Sequence, residues 1–148
     1  MASFLLCLLA GLLLANTGDN PADHAYAEGQ IWAYDTRAGE EGSLLKIQKI
    51  ELIGPAEEPM EVFHLSIVGI SFSNKAVGSV LPHTPVSRQT LDDSVVRLDD
   101  SDVEFPLPSA VQQGIAAWEE AQGGVFTVSV KEIIDFVDQA IAAEMPAP

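Results

Sequence analysis

Three apolar-rich runs follow one another in the first half of the chain, joined by turns short enough to make them neighbouring strands. The first is Gly29-Gln30-Ile31-Trp32-Ala33-Tyr34-Asp35-Thr36-Arg37, with Trp32, Tyr34 and Thr36 on one side and Ile31 and Ala33 on the other. The acidic turn Ala38-Gly39-Glu40-Glu41-Gly42 leads into Ser43 to Ile53. There Leu45 and Ile47 share one parity and Ile50 and Leu52 the opposite one. The alternation slips near Gln48-Lys49, which a β-bulge explains. Gly54-Pro55 and Ala56-Glu57-Glu58-Pro59 make the next turn. The third run, Glu61 to Ile70, is apolar on both faces and belongs in the middle of a sheet. Successive strands with such short connections pair antiparallel as a meander.

The second half reads as helical. A polar crossing runs through Asn74, Gly78, Pro82 and Pro85. Ser87 is a good N-cap for a short helix carrying Leu91, Val95 and Leu98, with Asp92 and Asp93 outward. Asp99 to Glu104 is a solvated loop ending at Pro106 and Pro108. A second helix is expected near Ser109, with Gln112 closing a capping box, Val111, Ile115 and Trp118 as its buried stripe, and Gly123-Gly124 as its end. Val125 to Val128 reads as a short edge strand. Ser129 with Glu132 is another capping box, followed by Val130, Ile133, Ile134, Val137 and Ile141 at helical spacing. The expected class is therefore α+β: an N-terminal antiparallel β-meander of three or more strands, open or partly closed, packed with two to three C-terminal amphipathic helices across one face or end.

Ahead of the first strand lies Phe4 to Leu14, an unbroken apolar run too short for the ~20 residues a membrane-spanning helix needs. The polar, turn-prone Ala15-Asn16-Thr17-Gly18-Asp19-Asn20-Pro21 follows it, the order of a secretory signal peptide. Ala25-Tyr26-Ala27 is the neatest cleavage sequence and Leu13-Leu14-Ala15 the nearer one, so cleavage is expected after Ala27 or after Ala15. No Lys or Arg precedes the run, and an N-terminal core helix is the competing interpretation. On the export reading, residues 1–27 are a leader, residues 28–148 form one α+β domain, and the protein is periplasmic or secreted, with no stable membrane insertion once the leader is gone. Cys7, the only cysteine, goes with the leader, which rules out an internal disulfide or a thiolate zinc site.

Charge narrows the partners. Asp and Glu number 22 against 7 Lys and Arg, a formal net charge of −15. Such a field repels nucleic-acid backbones and anionic membrane surfaces, and leaves a basic protein partner, a cation, or mere solubility. No G-x-S-x-G, H-E-x-x-H, G-x-G-x-x-G or P-loop run is present, and no cofactor or metal is expected. Asp100, Asp102 and Glu104 open like an EF-hand loop, but Phe105 stands where glycine is needed and Val111 where glutamate is. His64 alternates with Val62 and Ser66 in an apolar strand, the setting of a hydrogen-bonded structural histidine, and His83 sits in a proline-flanked turn; either is a candidate base or ligand. Trp32, Tyr34 and Arg37 could form an aromatic platform with a cationic neighbour, and Glu40 and Glu41 could bind a cation or pair with Arg37. The plainer expectation buries Trp32 and Tyr34 against the helices and has Arg37 pin the turn.

The block from Gly29-Gln30 through Trp32, Tyr34, Thr36-Arg37, Gly39-Glu40-Glu41, Ser43, Leu45, Ile47 and Lys49-Ile50-Glu51 resembles the opening of a group of small uncharacterised bacterial proteins, several of them exported. Gly124-Val125-Phe126-Thr127-Val128-Ser129-Val130 is similar to a later segment of the same group. The resemblance covers most of the chain after the leader and implies export but no activity, so no functional residue is carried over. The functional expectation is a small acidic exported binding module, inhibitor- or immunity-like, rather than an enzyme. The alternatives are an enzyme with an unpatterned site built from His64 or His83 with acids such as Glu40 or Glu41, and a structural envelope protein.

Overall fold

The structure, a computed structural model, describes residues 24–144. The apolar run at residues 4–14 and the Ala15 cleavage position lie outside them. Five strands form one open antiparallel sheet: β1 (Ile31–Tyr34), β2 (Leu44–Ile53), β3 (Met60–Val68), β4 (Val80–Val86) and β5 (Val95–Asp99), in the order β4-β3-β2-β1-β5. Among the described residues three α-helices, α1 (Arg88–Ser94), α2 (Pro108–Glu120) and α3 (Val130–Glu144), and one 3-10 turn at Lys75–Val77 complete the fold. No described helix is long and apolar enough to cross a membrane. The α+β class and the β1-β2-β3 meander are as expected, and the sheet does not close.

The helices do not share one face. Leu45, Ile47, Phe63, Leu65 and Ile67 pack with Leu91 of α1 and Val130, Ile133 and Ile134 of α3 in one apolar cluster. Val111 and Ile115 of α2 are buried outside that cluster, and Trp118 of α2 packs on His64, the neighbour of Phe63 on the opposite side of β3. A strand apolar on both sides needs cover on both, and α2 supplies the second cover.

Two strands replace what reads locally as loop or helix. Pro82 and Pro85 lie within β4, which is an edge strand, the place in a sheet where a missing N–H does least harm. The α1 helix starts on Ser87, whose Oγ accepts from the Thr90 N–H as expected, but it stops at Ser94. Val95 turns instead into β5, which pairs with β1 through Tyr34–Val95 and Trp32–Leu98. The α2 helix begins earlier than Ser109: Leu107 is its N-cap with Pro108 in the first turn, and no side chain caps it. At α3 one half of the capping box forms: the Ser129 N–H donates to Glu132 Oε2 at 3.0 Å, and the Ser129 hydroxyl donates to the same oxygen at 2.6 Å. Val125 to Val128 make only one parallel bridge, Val86 with Phe126, which covers the outer edge of β4 at its end.

The β1–β2 turn is locked from inside. Arg37 donates to Glu40 at 2.5 and 3.1 Å, to Asp135 and Asp138 of α3 at 3.1 Å each, and to the Ser71 carbonyl at 3.3 Å. Glu40 Oε1 in turn accepts the Ser71 N–H at 2.8 Å, and Asp138 accepts from Ser73. The hairpin, the β3–β4 connection and α3 thus meet on one guanidinium. The Glu40 side chain is only 1% exposed, so removal of Arg37 strands a buried carboxylate. Arg37→Ala is expected to cost about 3 kcal/mol of stability, read from chemical denaturation midpoints.

Candidate functional site

Irregularities in β2 and β4, the two strands that flank β3, aim three ionisable side chains at one another. In β2, Ile47 pairs with Leu65 and Lys49 with His64, so Gln48 has no partner. This extra residue moves Glu51 from the core side of Ile47 to the face that carries His64. In β4, Thr84 pairs with Leu65 and Leu81 with Ile67, leaving both Pro82 and His83 opposite Ser66. The Ser66 hydroxyl donates to the Pro82 carbonyl at 2.7 Å and holds that bulge.

His64 is fully enclosed. Its Nε2 lies 2.7 Å from Glu51 Oε1 and its Nδ1 2.8 Å from His83 Nε2. The two imidazoles stack with centroids 5.0 Å apart, and the Trp118 ring meets His64 edge-on at 5.2 Å. Burial works against ionisation of Glu51, but the His64 hydrogen bond, the His64 ring and Lys49 outweigh it and hold the carboxyl below the usual carboxylate range. An ionised Glu51 can only accept, so His64 donates to it through Nε2–H. The other ring nitrogen of His64, Nδ1, shares one proton with His83 Nε2, which leaves His83 Nδ1 outside this hydrogen-bonded chain. Burial, and then the neighbouring His64, push His83 down to about 4, so it is neutral at neutral pH.

Two glycines make room for this chain of rings. A Cβ on Gly114 of α2 would lie 2.6 Å from the Cβ of His83, and one on Gly123 would collide with the Trp118 indole. Trp118 Nε1–H donates to the Gly124 carbonyl at 3.0 Å, which fixes the indole plane. Beside it a cleft of about 390 Å³ is lined by Glu51 and Ile53 of β2, by Trp118 and Glu119 of α2, and by Gln122 and Gly123. Lys49 reaches Glu51 at 3.4 Å from the exposed side.

The other residues singled out in the sequence lie elsewhere. Trp32 and Tyr34 are 4% and 5% exposed within the α1/α3 core, so that hairpin offers no open aromatic face. Tyr34 hydrogen-bonds Ser43 at 2.6 Å, and Trp32 donates to Gln30 at 3.1 Å. Arg37 and Glu40 are consumed by the turn lock. Glu41 accepts the Gly39 N–H at the exposed turn. His64 and His83 do meet, but their acid is Glu51, and neither Glu40 nor Glu41 bonds to them. Glu51 and the cleft role of Trp118 escape a reading residue by residue. The parity slip at Gln48-Lys49 is the signal that carries Glu51 to the His64 face. Among the described residues no group of three or more His, Cys, Asp or Glu is arranged to hold a metal ion.

Two measurements probe this geometry. A helix-interior Gly→Ala change ordinarily stabilises by about 0.5–1 kcal/mol. Gly114→Ala should instead destabilise by about 1–3 kcal/mol, because the overlap with His83 forces α2 off the sheet; thermal or chemical unfolding gives the sign. The His83 ring should titrate by NMR near 4 rather than 6.5. Since the unfolded ring takes its proton near 6.5 and the folded one only near 4, this residue lowers stability progressively as pH falls through that window and contributes nothing above it. His83→Gln should remove that part of the slope. No protein-family model matches the chain, and no curated protein or solved structure matches it either.

Proposed function

We propose that the chain is a non-catalytic binding module that receives a cationic group of a basic partner in the Glu51–Trp118 cleft. The observation that carries this is an ionised carboxylate, backed by a buried histidine, at the edge of a cleft walled by an indole held in place by its own hydrogen bond. Carboxylate plus aromatic wall is the chemistry that recognises an ammonium or guanidinium: charge attraction to Glu51, with Glu119 beside it, and cation–π contact with Trp118. Lys49 is the competitor, and an exposed pair of that kind is worth only about 0–1 kcal/mol. The formal net charge of −15 steers a basic partner toward the molecule.

Export belongs to the same proposal. Tyr26 donates to Asp92 at 2.7 Å and packs edge-on against Trp32 and Phe63, so cleavage after Ala27 would remove a residue that packs on the core. Cleavage after Ala15 leaves it in place and is the alternative we adopt. The inhibitor- or immunity-like role stays a proposal of this kind: a small acidic module meeting a basic target.

A second reading, an enzyme using the Glu51–His64–His83 chain, draws on the orientation of one imidazole by another and of that one by a carboxylate. We place it second because a ring pushed down to about 4 is a weak base at neutral pH and because Glu51 and Trp118 line the cleft whereas His83 does not.

The test is an NMR titration with a short oligolysine peptide, followed at the Trp118 indole N–H. That signal and the backbone of Glu119 and Gly123 should shift while the Trp32 indole does not. Glu51→Gln, which keeps a hydrogen-bond acceptor for His64, should weaken binding about tenfold, equivalent to ~1.4 kcal/mol. Equal binding by Glu51→Gln, or by the same peptide with acetylated lysines, would overturn the proposal.

A further inference from the structure

The two edges of the sheet are treated differently. On one side β4 carries Pro82 and Pro85, and the Phe126 segment pairs with its end: Phe126 N–H donates to the Pro85 carbonyl at 3.0 Å and Ser87 N–H to the Phe126 carbonyl at 2.9 Å. These are standard means of closing an edge. On the other side β5, Val95–Asp99, has β1 as its only strand partner among the described residues and contains no proline. Two of its five side chains, Val96 and Leu98, are apolar and 64% and 55% exposed. Val103 and Leu107, in the segment between β5 and α2, are exposed as well. Beside Leu98 lies an open groove of about 630 Å³ lined by Gly29, Gln30, Ile31, Asp99, Asp100 and Ser101.

We infer that β5 is a second docking surface, one that accepts an extended segment of a basic polypeptide as a sixth strand. Main-chain hydrogen bonds to the open edge would supply affinity, and alternate side chains would supply specificity. The apolar half of the partner segment meets Val96 and Leu98. The charged half follows from Asp99, Asp100, Asp102 and Glu104, four carboxylates within six residues of chain, with Arg97 already paired to Asp99 at 3.0 Å. Alternating Lys or Arg with β-branched residues is the chemistry that matches this strip.

A second copy of this chain is a poorer occupant. Antiparallel self-pairing centred on β5 sets Arg97 opposite Arg97 and brings together two molecules of formal charge −15. The inference does not rest on the Glu51 cleft, which is formed by β2 and α2.

The probe is an alternating lysine–valine peptide, added to the intact chain and followed by amide hydrogen exchange and calorimetry. The outward-facing amides within Val95 to Asp99, those not directed at β1, should slow about tenfold or more on binding, as paired edge amides do. Val96→Lys combined with Leu98→Lys changes only exposed side chains, and should reduce affinity at least about tenfold because edge lysines oppose strand addition. The same double-lysine variant should leave the oligolysine shift at the Trp118 indole in place, because neither Val96 nor Leu98 lines the cleft, and this separates the edge from the cleft. Binding without protection of β5, equal binding by the double-lysine variant, or equal binding of an alternating glutamate–valine peptide would overturn the proposal. So would protection of β5 without peptide in a concentration-dependent dimer.

Discussion

The unpaired Gln48 in β2 is the constraint on which the site depends. Without it, strict alternation would put Glu51 on the same side as Leu45 and Ile47, inside the core closed by α1 and α3. A carboxylate there would have to be desolvated among apolar side chains, at a cost of several kcal/mol unless it were protonated or paired. One inserted residue resolves the conflict. Leu45, Ile47 and Ile50 all reach the core, and Glu51 moves to the face where His64 can donate to it. The bulge is therefore demanded by the apolar pattern before any function is considered, and the hydrogen-bonded chain is built on that local defect.

Two polar assemblies result, with different characters. The Arg37 assembly is closed: every strong acceptor around the guanidinium already has its donor, and its effect is to join hairpin, β3–β4 connection and α3. The Glu51 assembly is satisfied inward and open outward. His64 uses both ring nitrogens within the protein, whereas Glu51 keeps part of its surface in a cleft and pairs outward only with Lys49, at 3.4 Å. A fully satisfied buried partner makes the orientation of the exposed carboxylate rigid. Preorganisation of this kind favours recognition, because little side-chain freedom remains to be lost when a ligand arrives.

Local chemistry made part of this architecture legible. Ser87 and Ser129 with Glu132 stand at helix starts because capping is satisfied within three residues, and the slip at Gln48-Lys49 is visible as a change of parity in one strand. What could not be read depends on distant partners. Val95 and Leu98 fit a helical stripe after Leu91 as well as a strand, and the free edge of β1 decided between them. Pro82 and Pro85 look like strand breakers until β4 is known to be an edge. His64 and His83 each stand out in the sequence, but their contact requires the β4 bulge opposite Ser66 and the missing side chain of Gly114, neither of which has a local signature.

The two tryptophans occupy opposite layers of the sheet, Trp32 in the dry α1/α3 core and Trp118 beside the stacked imidazoles under α2. Indole emission from the first reports only whether the core is intact. Emission from the second reports on the site, because that indole lies against both imidazoles. The molecule thus contains two optical channels, one in the core and one at the site, separable by replacing either indole.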